Sequence, residues 1–150
     1  MKNKIALLSC FLFSSCAFSN NASFNIDESF SLNGQSIKLD SKNCEISYQG
    51  EVKSLGVNGT CLFAKKSNTS EIKTYFFDDI QSEVAVIIGN SIIDNPDYPV
   101  TQKRTDCGDS VVGIAVSNTG DLKLKVSEGS SVYCAGTGAG EPLYWVLSHD

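Results

Sequence analysis

The segment Phe30-Ser-Leu-Asn-Gly-Gln-Ser-Ile37 decides the fold class. Apolar and polar residues alternate on both sides of Asn33-Gly34, which is the pattern of half-buried strands. Asn and Gly both tolerate the positive φ that a type I′ turn requires. The segment therefore predicts a β-hairpin.

The same alternation and similar turn dipeptides recur along the chain. They predict strands in segments 24–32, 37–39, 44–48, 52–57, 72–77, 83–88, 111–116, 122–126, 132–134 and 143–147, and segment 60–63 follows the turn Asn58-Gly59 after 52–57. Segment 83–88 is nearly continuous in β-branched residues and should be central in its sheet. Roughly nine or ten short strands, with turns every 8 to 12 residues, predict an all-β, antiparallel sandwich or small barrel.

The N-terminus has the order of a cleavable export signal. Basic Lys2 and Lys4 precede an apolar run over 5–13, and small residues follow at Ala17 and Ser19. The apolar run has about nine residues, whereas a transmembrane helix needs roughly 20. We therefore predict a signal peptide over 1–19 and one periplasmic or secreted domain over 20–150, a length that suits a single core.

Two alternatives for the leader stay open. Cleavage after Ala17 also satisfies the small-residue rule. Phe13-Ser-Ser ahead of Cys16 loosely resembles a bacterial lipobox, so a lipid anchor at Cys16 would tether the domain to the outer membrane without spanning it.

The charge of the chain limits its partners. It has 12 basic and 17 acidic residues and a net charge of −5, and loss of Lys2 and Lys4 leaves 10 against 17, or −7. Nucleic-acid binding needs clustered Lys and Arg and is not expected. A protein partner, more favourably a basic one, suits this charge.

Four cysteines remain after the leader: Cys44, Cys61, Cys107 and Cys134. In an oxidising compartment they predict two disulfides, and sequence alone allows three pairings. We favour Cys44 with Cys61 and Cys107 with Cys134, because each pair would couple neighbouring strands of a meander. By closing its loop, each disulfide should stabilise the folded state by about 3 kcal/mol. Without a Cys-x-x-Cys motif we predict no zinc site, and no other metal or cofactor.

The side chains needed for catalysis are scarce. His149 is the only histidine, and it stands at the penultimate position, where chains usually fray. Carboxylates could support glycoside hydrolysis, with Asp27-Glu28, Asp78-Asp79 and Glu83 as the acids. We interpret those acids as solvated loop charges and predict that the protein is not an enzyme.

Two segments supply candidate binding residues. The irregular segment 94–99 contains Asp94, Asp97 and Tyr98; its oxygens could suit calcium, but Asp and Asn here serve better as turn formers around prolines.

The second segment is glycine-rich, with Gly136, Gly138 and Gly140 followed by Glu141. Phosphate-binding glycine loops lead into a helix, whereas a strand is predicted next, so we expect a flexible contact loop. In that strand Trp145 should be a core anchor, which leaves Tyr144 as a contact aromatic.

The sequence therefore favours a protein-binding module, for example an inhibitor or immunity protein acting on a cationic envelope enzyme. The alternatives are a structural or surface lipoprotein of the cell envelope and, less favoured, a carboxylate-dependent carbohydrate-active enzyme.

Overall fold

The computed structural model describes residues 28–102, 104–137 and 139–149. Its strands are β1 Glu28–Leu32, β2 Gln35–Asp40, β3 Glu45–Tyr48, β4 Glu51–Ser54, β5 Leu62–Phe63, β6 Thr74–Phe77, β7 Ser82–Ser91, β8 Cys107–Ser117 and β9 Leu122–Cys134. A 3-10 helix, Val100–Gln102, precedes β8, and the α-helix α1, Glu141–Ser148, follows β9. The predictions of a signal peptide and of lipidation at Cys16 fall outside the described residues.

Strands β1 to β4 form an antiparallel meander in chain order. Leu32 pairs with Gln35 across the predicted turn, where Asn33 and Gly34 have φ values of 48° and 77°. The hairpin prediction is confirmed. The Asn33 side chain also donates to the carbonyl of Val116 at 3.2 Å, so the turn contacts the second sheet.

The second sheet has five strands, and β7 is central in it. Strand β7 pairs with β5 and β6 along one edge and with β8 along the other, and β9 pairs with β8. This confirms the prediction for segment 83–88. The strand is apolar over 84–88 because both of its faces are buried there: Ala85 and Ile87 face one core, and Val84, Val86 and Ile88 face another.

The two cores define three layers. The inner core lies between the sheets and contains Leu39, Ile46, Ile87 and Ile114. The outer core lies between the five-stranded sheet and α1. The all-β prediction is confirmed, and of the two architectures that the sequence leaves open, sandwich and small barrel, the structure has a two-sheet sandwich, with one helix covering its outer face. No helix in the described part of the chain is long and apolar enough to span a membrane.

The prediction of a strand over 143–147 is wrong, because α1 occupies this segment. Tyr144, Leu147 and Ser148 are buried at helical spacing, and Pro142 stands in the first turn, where its missing N–H costs nothing. A short apolar run does not by itself distinguish a strand from a buried helix.

A second difference concerns the strands predicted over 122–126 and 132–134. They belong to one strand, β9, whose pairing with β8 shifts register between Gly108 and Ser110. Extra residues in one strand of a pair are accommodated by a bulge, so the polar segment between the two predicted strands did not end the ladder.

Both favoured disulfide pairings are confirmed. Cys107 and Cys134 are register partners on β8 and β9, as expected for neighbouring strands. Cys44 immediately precedes β3 and Cys61 immediately precedes β5, so the other disulfide joins the two sheets rather than two neighbouring strands.

Candidate protein-binding surfaces

Helix α1 is fixed to the outer face of the five-stranded sheet by Tyr144 and Leu147. Both are buried, and the Tyr144 hydroxyl donates to the carbonyl of Lys73 at 3.1 Å. Burial raises the pKa of the Tyr144 phenol well above its ordinary value. Gly113 on β8 allows the close approach, because a Cβ there would lie 2.6 Å from the Leu147 Cβ and 2.8 Å from its carbonyl oxygen.

The end of α1 is held by a lysine from β9. Lys125 Nζ donates to the carbonyl of Val146 at 3.0 Å and to that of His149 at 2.7 Å. A cation at a helix C-terminus satisfies free carbonyls and is favoured by the helix dipole. The helix is therefore anchored at its C-terminus as well as through its buried face.

The other face of α1 is exposed and apolar. Trp145 and Val146 are 50% and 53% exposed. Together with Glu141 and Pro142 they line a shallow cavity of about 320 Å³. We call these four residues the helix surface.

The Trp145 ring is held in place by its neighbours. It stacks on the His149 ring with centroids 4.4 Å apart and an interplanar angle of 14°. His149 Nε2 lies 2.9 Å from Asp79 Oδ2, and this hydrogen bond holds the pKa of the Asp79 carboxyl below its ordinary value. His149 is therefore not frayed, contrary to expectation, and it fixes the orientation of the exposed indole.

Hydrogen bonds connect Ser148, His149 and Asp79 in the order of a Ser-His-Asp triad, since His149 Nδ1 lies 3.0 Å from Ser148 Oγ and its Nε2 contacts Asp79. The same Nδ1 lies 2.8 Å from the carbonyl oxygen of Trp145, and Ser148 is buried and donates to the carbonyl of Tyr144 at 2.8 Å. A nucleophile must be exposed and must give its proton to the base. These contacts instead close the last turn of α1.

The proline-containing segment keeps two of its three candidates at the surface. Asp94 and Asp97 are exposed. Tyr98 is half-buried, and its hydroxyl donates to Asp109 Oδ2 at 3.1 Å, which ties the loop to β8. Its desolvation, reinforced by Asp109, raises the pKa of the Tyr98 phenol. Tyr98 therefore serves as an anchor of the loop, whereas the two aspartates remain available for contact.

The glycine-rich segment leads into α1, so the expectation that a strand follows it was wrong. Gly140 is the N-cap of the helix, Gly136 lies in a turn, and Gly138 lies outside the described residues. Glu141 stands in the first turn of α1, where its negative charge would repel an anion bound at the helix N-terminus. Lys73 Nζ, the nearby cation, donates to the carbonyl of Ala139 at 2.8 Å. The segment positions the helix surface rather than cradling a phosphate.

The two aromatics of α1 have the reverse of the expected arrangement. Tyr144 is in the core, and Trp145 is exposed. Helical spacing from Tyr144 to Leu147 and the proline in the first turn were the sequence signals for this arrangement. Because a strand was predicted here, the surface formed by Pro142, Trp145 and Val146 was not predicted.

A second concave surface lies where the two sheets meet at one edge of the sandwich. It has a volume of about 450 Å³. Its lining residues are Glu28, Ser29, Phe30, Ser31, Ser70, Glu71, Ile72, Thr74 and Glu83. We call it the edge cleft.

The glutamates of the edge cleft differ in their partners. Glu28 pairs with Lys65 at 2.9 Å, and Glu71 pairs with Lys66 at 2.7 Å. Within the described ranges no cation lies at ion-pair distance from Glu83.

Glu83 connects the two sheets. Its Oε2 accepts the backbone N–H of Asn33 at 2.6 Å, and its Oε1 accepts the hydroxyl of Thr74 at 2.8 Å. It is not the solvated loop charge that the sequence predicted.

The described residues contain no group of three or more His, Cys, Asp or Glu side chains that could hold a metal ion. Comparison with known proteins found no matching family model, no matching curated protein and no matching solved structure.

Proposed function

We propose that the protein is an exported protein-binding module that occupies a cationic partner, as an inhibitor or immunity protein acting on an envelope enzyme would. The observation that carries this proposal is the exposed, oriented Trp145 at the centre of the helix surface. The two disulfides support an oxidising compartment.

Trp145 has the properties of an interface anchor. Tryptophan is enriched among residues that dominate binding energy, particularly beside apolar neighbours that exclude water. Pro142 and Val146 are such neighbours. The stack on His149 fixes the ring before a partner arrives, which lowers the entropy lost on binding.

Acidic groups at the border of the helix surface favour a basic partner. Glu141 lines the cavity itself, and Asp79 lies directly beyond His149. Lys125 is nearby, but its ammonium group is engaged by two helix carbonyls. With the net charge of −7 expected after loss of the leader, this distribution would speed the approach of a cationic protein.

The contacts of the candidate catalytic groups favour binding over hydrolysis. Glu28 and Glu83 both line the edge cleft, yet the first pairs with Lys65 and the second has both oxygens engaged. Ser148 is buried in the last turn of α1. Those contacts support structural roles for these side chains.

The test is affinity capture from an envelope extract of the source organism, with the oxidised protein as bait at low and moderate salt and mass-spectrometric identification. Trp145→Ala and Val52→Ala serve as a matched pair of baits, because the two side chains are 50% and 52% exposed on different surfaces. We expect one basic protein to be retained by the wild type and by Val52→Ala. Its affinity should fall by about tenfold or more with Trp145→Ala.

A partner that binds both variants equally would contradict the assignment to the helix surface. Retention of abundant membrane components alone would contradict the inhibitor proposal and favour a structural role at the cell envelope.

A further inference from the structure

The edge cleft lies between two sheet edges to which no further strand of the described residues is added. Strand β1 pairs only with β2, and β6 pairs only with β7, among the residues that the structure describes. An open edge presents backbone N–H and C=O groups that another extended chain can pair with.

The register shows which groups of β1 point outward. Leu32 and Gln35 close a two-residue hairpin loop, and such a pair exchanges both of its backbone hydrogen bonds. Bonded and non-bonded pairs alternate, so Phe30 and Glu28 also bond to β2. Ser29 and Ser31 therefore direct their N–H and C=O groups away from β2, and both residues line the edge cleft.

The opposite edges of the two sheets differ in their side chains. Strand β4 carries Lys53, and β9 carries Lys123 and Lys125. Lysine on an edge strand discourages pairing with another strand. Strands β1 and β6, with the sequences ESFSL and TYFF, carry none.

The lining of the edge cleft indicates the chemistry of its occupant. Phe30 and Ile72 are partly buried against the inner core and supply apolar contact. Glu83 has no cationic partner among the described side chains, and the Glu71–Lys66 pair is largely exposed, with 67% and 56% of the side chains accessible. An exposed ion pair of this kind contributes little to the stability of the fold, so Glu71 can readily exchange Lys66 for a cation of the bound peptide.

We propose that the edge cleft binds an extended, basic peptide segment, which adds as a strand to β1. The backbone of the segment pairs with Ser29 and Ser31, apolar side chains contact Phe30 and Ile72, and lysine or arginine side chains approach Glu71 and Glu83. This site is separate from the helix surface and does not depend on the function proposed there.

The probe is an acetylated and amidated seven-residue peptide, Val-Lys-Val-Lys-Val-Lys-Val, labelled for fluorescence anisotropy. Two isomers are compared, one N-methylated at its three lysines and one at its second, third and fourth valines. Alternate amides of a strand point to opposite sides, so one isomer loses the donors that face β1 and the other keeps them. We expect one isomer to bind about tenfold more weakly than the parent and the other to bind nearly as well.

Variants of the protein test the same site from the other side. Ser31→Pro removes an outward N–H and leaves the ladder with β2, because proline is tolerated on an edge strand where its N–H would face outward. Val52→Pro is the matched control, since the pair Tyr48–Glu51 closes a two-residue loop and places the Val52 N–H outward on β4. We expect Ser31→Pro to weaken peptide binding by about threefold to tenfold and Val52→Pro to leave it unchanged.

A second matched pair tests charge. Glu71→Gln should weaken binding of the peptide by about twofold to fivefold, while Glu51→Gln, which removes a similarly exposed partner of a lysine on β4, should not. Trp145→Ala should leave peptide binding unchanged, which separates this site from the helix surface. Equal binding of both N-methylated isomers would overturn the proposal, since it would show attraction by charge without strand addition. This peptide experiment uses the wild-type protein, so its outcome does not depend on whether any variant folds.

Discussion

The two sheets of the sandwich differ in how much of their surface is buried. The five-stranded sheet is covered on both faces, by the four-stranded sheet and by α1. The four-stranded sheet is covered on one face, and its residue Val52 is 52% exposed. The doubly covered sheet acts as the scaffold. The helix surface lies on the helix that packs against it, and the edge cleft lies between its strands β6 and β7 and strand β1 of the other sheet.

The largest expected difference between the sheets is the cost of truncating an apolar side chain. Ile87→Ala in β7 should lower the free energy of unfolding by about 2–5 kcal/mol, because it removes buried methyl groups and leaves a cavity. Val52→Ala in β4 should change it by less than about 0.5 kcal/mol. Urea unfolding of the oxidised variants measures both values. Equal losses would contradict the assignment of the five-stranded sheet as the scaffold.

The next largest expected effect on the free energy of unfolding comes from the Cys44–Cys61 disulfide, which joins the two sheets. Replacing Cys44 and Cys61 together by alanine should cost about 3 kcal/mol, since it frees a loop whose ends are 17 residues apart. The Cys107 and Cys134 double variant, with a separation of 27, should cost a similar amount although it lies within one sheet. Urea midpoints compare the two. A much larger loss for the first pair would show that the bond between the sheets also maintains their packing.

The contact between the scaffold and α1 can be tested at Gly113. Gly113→Ala should destabilise the protein by about 1–3 kcal/mol, because the added methyl group meets the backbone of Leu147 and displaces the helix. Gly136→Ala is the control, since a Cβ there meets nothing within 4 Å. Thermal unfolding gives the stabilities, and Trp145 fluorescence reports the displacement. An unchanged variant would show that α1 can shift without cost.

The smallest effect depends on pH and concerns the Asp79–His149 contact. Since the folded-state pKa of Asp79 lies below its ordinary value of 3.8, the contact stabilises the fold above that pH and the contribution is lost as pH falls through the folded pKa. The difference in Tm between the wild type and Asp79→Asn should therefore shrink from about pH 5 to about pH 2. A constant difference between the wild type and Asp79→Asn across this pH range would contradict the linkage.

Much of the fold is predictable from the sequence because strand signals are local. The Asn33-Gly34 turn and the β-branched run of β7 each identify an element within a few residues. The segment Leu143-Tyr-Trp-Val-Leu147 was misassigned because five apolar residues fit either period. Packing of Leu147 on Gly113 is a tertiary contact that favours the helix and that no local pattern shows.

The candidate sites were less predictable, since they combine distant residues. The edge cleft joins residues 28–31 of one sheet to 70–74 and 83 beside the other, and no local pattern indicates that these segments meet. Trp145 was predicted to be the core residue of a strand pair, because one of two neighbours on a strand faces the core and tryptophan is usually buried. In the helix its exposure depends on which face the tertiary contacts cover.

The position of α1 after β9 separates completion of the strands from completion of the outer core. The nine described strands end at residue 134, yet the outer face of β7 and β8 stays uncovered until Leu147 packs on it. Exposed apolar surface of this kind makes a partly folded chain prone to aggregation. A chain truncated between these two residues would therefore keep all of its described strands and still expose an apolar face to other molecules.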